Sequence, residues 1–112
     1  MKPQEVYSDL VEKKAPSTAD LDLEGRPIPA GKVVRIETYY VIDETTANKT
    51  MKLGYVKAEK TIILKREPTN TSAYFVRLES PLILVEGEKP KATVEAAVSG
   101  DECRLLVKGV FI

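Results

Sequence analysis

The chain has 112 residues, with 17 lysines plus arginines balanced by 17 aspartates plus glutamates and no histidine. That length is one domain, and a 43% hydrophobic, 30% charged composition is too apolar for general disorder. Zero net charge argues against a nucleic-acid binder, which needs a basic excess to neutralise phosphates. A single cysteine excludes an internal disulfide, and no apolar run approaches the ~18 residues of a membrane span.

Residues 1–19 differ from the rest. Pro3 and Pro16 bracket Val6, Tyr7, Leu10 and Val11, enough for about one and a half helical turns but too few for a core face. The expectation is an N-terminal arm, either loose or ordered on a partner through Val6, Tyr7, Leu10 and Val11. No apolar leader core precedes it, which predicts synthesis in the cytoplasm without a signal peptide.

The body, residues 20–112, reads as strands. Asp20-Leu21-Asp22-Leu23-Glu24 alternates strictly, and Gly25 ends it. Its three carboxylates are spaced along an extended strand, which does not converge them on calcium, so they predict a solvated or edge-protecting face. A proline-stiffened connection, Arg26 to Gly31, leads into the longest strand, Lys32 to Asp43. There Val34, Ile36, Thr38, Tyr40 and Ile42 share one face, with Val33, Arg35, Glu37, Tyr39 and Val41 on the other. Apolar groups on both faces predict a central or doubly covered strand. Tyr39, on the more polar phase, is a candidate interface anchor, because tyrosine buries area and keeps a hydrogen-bonding tip.

Met51, Leu53 and Tyr55 alternate next, with Gly54 as a bulge candidate. Thr61–Leu64 forms a strand flanked by Lys57, Lys60, Lys65 and Arg66, residues that deter edge-to-edge pairing. Tyr74, Val76 and Leu78 point one way, followed by the apolar run Pro81–Val85 and the turn Glu86–Pro90. Ala92, Val94, Ala96 and Val98 then share a face, Ser99-Gly100-Asp101 reverses the chain, and Cys103, Leu105, Val107 and Phe111 line the inward side of the last strand. Cys103 is thereby a small buried hydrophobe. About eight short strands and no credible long helix predict an all-β single β-sandwich, jelly-roll-like, with an immunoglobulin-like Greek key as the alternative.

The chemistry is sparse. Without histidine there is no Ser–His or Cys–His pair, and no serine sits in a nucleophile elbow. The six glycines form neither a phosphate loop nor a dinucleotide fingerprint. The acids lie beside lysines on polar strand faces, as a solvated surface places them. The sequence therefore predicts no catalytic residue, no metal, no cofactor and no enzyme. A carbohydrate- or receptor-binding module of a fibre or adhesin is the alternative, weakened by 6% aromatics and no tryptophan. One glutamine and two asparagines among many lysines and glutamates fit a thermostable protein.

The order of segments carries a resemblance. Ile28–Ile36 leads into Tyr39-Tyr40-Val41-Ile42, then come a Thr/Ala/Asn loop, Leu53-Gly54-Tyr55-Val56, Leu78-Glu79-Ser80-Pro81-Leu82, Glu86–Pro90 and the Ser99-Gly100-Asp101 turn. Across residues 28–112 this resembles the small β-sandwich accessory proteins of tailed bacteriophages, of decoration or head-fibre type. The resemblance implies a virion localisation and a non-enzymatic capsid decoration protein that binds the outer surface of the major capsid lattice. It also implies a homo-oligomer, a trimer in that comparison, with the major capsid protein or another virion protein as partner, and neither nucleic acid nor membrane.

Overall fold

The computed structural model describes residues 6–69 and 74–112. Nine strands run in chain order: β1 (Val6–Lys14), β2 (Ala19–Glu24), β3 (Val33–Asp43), β4 (Thr50–Lys57), β5 (Lys60–Pro68), β6 (Phe75–Arg77), β7 (Leu82–Val85), β8 (Lys89–Ala97) and β9 (Glu102–Phe111). One sheet is ordered β1-β9-β3, with β6 and β7 sharing the far edge of β3, and the other is ordered β2-β8-β4-β5. All pairings are antiparallel. Most connections cross between the layers, the interleaved arrangement of a jelly roll. The immunoglobulin-like alternative does not hold, because that topology groups its strands differently between the two sheets.

The core lies between the sheets. Val34, Leu53, Leu84, Val94, Leu105 and Val107 are fully shielded from solvent. Each is worth about 1.5–3 kcal/mol relative to exposure. Tyr39 spans the layers: its hydroxyl donates to the Gly54 carbonyl at 2.6 Å, with the Lys91 carbonyl 2.9 Å away. Burial pushes its phenol well above the ordinary tyrosine range.

Three bulges set which residues face in. In β3, Ile36 pairs with Gly109 and Thr38 pairs with Lys108, so Glu37 is the extra residue. The inward phase passes from Val34 and Ile36 to Tyr39, Val41 and Asp43. Tyr39 is consequently 1% exposed, a core residue instead of an interface anchor. Gly109 faces this bulge, where a Cβ would run into the Arg35 carbonyl oxygen. In β8 the shift falls near Ala96, whose φ of 50° is left-handed. Ala97 turns inward there while Ala96 and Val98 turn out, against the strict alternation expected. The third bulge lies at Leu64 in β5, opposite Gly54, whose Cβ would strike the Ile62 carbonyl.

The N-terminal segment also departs from expectation. Residues 6–14 are neither helical nor an arm, because β1 pairs with β9 without a break from Val6↔Val110 to Lys14↔Glu102. Tyr7 is 3% exposed and Val11 packs against the core. Positions four apart share a face in a helix and in a strand alike, so Val6/Leu10 and Tyr7/Val11 look the same either way. Residues 1–5 of the expected arm lie outside the described residues.

Candidate functional site

The two outer faces of the sandwich differ in how their charged and apolar groups are laid out. On the four-stranded sheet, one row across the strands reads Asp22, Thr93, Lys52 and Arg66. Asp22 accepts from the Thr93 hydroxyl at 2.7 Å and pairs with Lys91 at 3.7 Å. Glu24 pairs with Lys89 at 3.5 Å and Glu95 with Arg66 at 2.8 Å. This is a solvated, charge-laced surface, as the carboxylates of β2 led one to expect, with Ile63 and Leu64 exposed on the edge strand β5.

The outer face of the five-stranded sheet carries two apolar bands among polar residues. One row runs Leu10, Leu106, Tyr40 and Arg77, and the next runs Glu12, Arg104, Ile42 and Phe75. The Tyr40 and Phe75 rings meet edge-on, 6.3 Å between centroids. A second band follows beyond the polar row Ser8, Lys108, Thr38: Val6, Val110, Arg35 and Ile83, with Val33 and Val85 adjoining. Val6 is 65% exposed, Leu10 52% and Phe75 50%. Of the charges on this face, Arg104 pairs with Glu44 and Glu12 and Arg35 with Glu37 at 2.8 Å, while Arg77 and Lys108 form no ion pair with the described residues.

The five sequence-predicted contact residues divide accordingly. Val6 and Leu10 belong to the apolar face, on its two bands. Tyr7, Val11 and Tyr39 point into the sandwich; the Tyr7 hydroxyl donates to the Arg26 carbonyl at 2.9 Å, and burial foremost raises its phenol to about 12. Leu106, Tyr40, Phe75, Ile83, Val85 and Val110 were missed as surface residues. The available signal was the adjacent apolar pair Leu105-Leu106 and the two-sided apolar pattern of β3, which announce a sheet covered on both faces.

At one end of the sandwich two acids are buried together. Asp43 Oδ1 accepts from the Thr45 and Thr46 amides, each at 3.0 Å, while Oδ2 has no partner apart from the neighbouring Asp101 carboxyl. Asp101 accepts from the Thr46 hydroxyl at 2.7 Å and the Val98 amide at 3.0 Å. Burial, together with these carboxylates, raises the Cys103 thiol to about 12, far from a reactive thiolate. Among the described residues no three metal-ligating side chains converge.

No protein-family model matches the chain, and no curated protein sequence does. Among solved structures it is similar to the Drosophila NLP core, a structure described as giving insight into pentamer formation and histone binding. The TM-score is 0.50 and the identity 8%, over 95% of this chain and 97% of that one. It is also similar to dimeric latent PorU from Porphyromonas gingivalis, at TM-score 0.39 and 9% identity, over 94% of this chain and 13% of that one. The PorU likeness is too low to carry an argument, and the NLP-core likeness establishes the two-sheet fold over nearly the whole chain and nothing narrower.

Proposed function

We propose that the protein is a non-enzymatic assembly protein that acts by docking the outer face of its five-stranded sheet. The observation that carries this reading is the pair of apolar bands on that face, where Val6, Leu10, Phe75 and Ile83 are each about half exposed or more. Large exposed apolar patches mark interaction surfaces in soluble proteins. The specific setting we propose is a virus particle, with the protein as a capsid decoration or stabilisation subunit on the major capsid lattice. The segment order over residues 28–112 supports that setting. Histone binding, a property of the similar NLP core, is not carried over: histones are basic, and this chain has no acidic excess to meet them.

The test is co-sedimentation with shells assembled from the capsid protein encoded beside this gene. Binding that Leu106→Glu abolishes is the expected result. No capsid, portal or tail gene nearby, or binding indifferent to Leu106→Glu, overturns the reading. Light scattering distinguishes the trimer of the phage comparison from other oligomers.

A further inference from the structure

We infer that the free edge of β5 takes up an extended, acidic segment of another protein as an added strand. β5 ends the four-stranded sheet, with β4 on one side and no strand on the other. An edge strand keeps a row of unpaired N–H and C=O groups that can template such pairing. Each of the other edge strands has a backbone group taken by a side chain from outside the strand. Lys13 donates to the Asp22 carbonyl of β2 at 3.0 Å, and the Arg26 guanidinium donates to the Ser8 carbonyl of β1 at 2.8 Å. Lys65 donates to the Arg77 carbonyl of β6 at 2.7 Å, and the Val85 amide of β7 donates to the Glu88 carboxylate at 2.8 Å. Among the described residues no side chain hydrogen-bonds to the backbone of β5, which is nine residues long.

Charge selects the occupant. The β4–β5 hairpin carries Lys52, Lys57, Lys60, Lys65 and Arg66 against Glu59 and Glu67, in a chain of zero net charge. Lys65 pairs with Glu67 and Arg66 with Glu95. Lys52, Lys57 and Lys60 form no ion pair with the described residues, and neither does Glu59 in the turn. Ile63 and Leu64, at the bulge, are 45% and 43% exposed. A second β5 is refused here, because two cationic edges would bring like charges across from one another. A strand with carboxylates at alternate positions meets those cations instead, and its apolar residues cover Ile63 and Leu64. The edge belongs to the other sheet and works independently of the apolar bands.

The probe is a labelled peptide of alternating valine and glutamate, matched to the nine residues of β5, followed by fluorescence anisotropy and amide hydrogen exchange. Three controls accompany it: a valine–lysine peptide, the acidic peptide N-methylated at successive central residues, and a short single-stranded DNA. N-methylation keeps the charge but blocks both edges of the added strand. The proteins are the wild type, Lys60→Glu, Lys57→Glu and, as a like charge change elsewhere, Lys14→Glu on β1. Circular dichroism verifies folding, and Lys57→Glu carries the comparison should Lys60→Glu fail to fold. The expected result is that the acidic peptide binds wild type and Lys14→Glu and slows exchange within residues 61–64. Affinity is at least about tenfold weaker for the controls and for the folded hairpin variants. No binding of the acidic peptide up to about 1 mM, or hairpin variants that bind it like wild type, overturns the inference. Equal binding of the N-methylated peptide or the DNA overturns it too, because the hairpin would then be a general anion surface and not a strand acceptor.

Discussion

Asp43 and Asp101 face each other inside the sandwich, 0% and 1% exposed, one ending β3 and the other preceding β9. A proton held between them satisfies Asp43 Oδ2, the one buried side-chain atom without a hydrogen-bond partner among the described residues. Burial, then the adjacent Asp101, raises Asp43 to about 6. Burial also disfavours the Asp101 anion, but hydrogen bonds from Asp43, Thr46 and Val98, with Lys49 nearby, outweigh it and hold Asp101 below the usual carboxylate range.

The folded state thus binds a proton at Asp43 that the unfolded chain has released, so this group favours folding at acid pH. Its contribution is lost as pH rises from about 4 to about 6, by roughly 3 kcal/mol at most. Asp101 acts oppositely, losing stability as pH falls below the ordinary carboxylate range. Asp43→Asn places an amide donor where the proton sits and keeps the acceptor for Thr45 and Thr46. The expected outcome is a higher Tm at pH 7.5 and a flattened Tm profile between pH 4 and 6, measured by calorimetry. An unchanged profile would show that the two acids do not share a proton.

Gly109→Ala tests the β3 bulge. Its methyl group would collide with the Arg35 carbonyl, and backbone cannot swing aside as a side-chain tip can. Relief requires β3 and β9 to separate or the bulge to slip, which would rotate Tyr39 and Val41 out of the core. Loss of at least about 3 kcal/mol, read by urea denaturation, is expected. A variant as stable as wild type would mean that the register shift lies elsewhere.

Tyr39→Phe keeps the ring and removes the hydroxyl, leaving the Gly54 and Lys91 carbonyls without that donor. A buried unsatisfied acceptor costs about 1–3 kcal/mol. The melting temperature should fall accordingly, while oligomeric state stays unchanged, since Tyr39 is not on the surface. A loss of association without a loss of stability would restore Tyr39 to an interface role.

Much of the fold was legible because most strands alternate and are bounded by glycine or proline. What was not legible was phase. A bulge adds one residue and inverts every side chain beyond it, yet neither Glu37 nor Ala96 carries a local mark of doing so. Tyr39 and Ala97 were therefore assigned to the wrong side. The place of β1 was hidden for a different reason: its partner β9 begins nearly ninety residues later in the chain, and no local pattern reports a pairing at that distance. Half of the candidate face was invisible with it, since Leu106 and Tyr40 are neighbours only through the register.

The β4–β5 hairpin was also written without the usual turn signal. Ala58 and Glu59 carry φ of 50° and 66°, the left-handed pair of a two-residue I′ turn, where Asn-Gly is favoured. Ala58→Asn with Glu59→Gly should stabilise the protein by about 1–2 kcal/mol. Chemical denaturation checks this, and a loss of stability would indicate that the Glu59 side chain supports the turn.

Deletion of residues 1–14 should abolish folding or produce aggregates, because it strips β1 from β9 and opens the core at Tyr7. Soluble expression and a cooperative melt are the readouts. A well-folded truncated protein would mean that β9 is sufficient as an edge.

β8 and β9 bridge strands that precede them in the chain: β8 lies between β2 and β4, and β9 between β1 and β3. During translation, β1 to β7 emerge before these bridging strands, so β3 can pair with β6 and β7 and β4 with β5 while β1 and β2 still lack their sheet partners. Synthesis of β8 and β9 is what lets both sheets close, so folding is dominated by distant pairings and is slow for a chain of this size. A premature stop before residue 102 leaves β1 without its partner and separates it from β3.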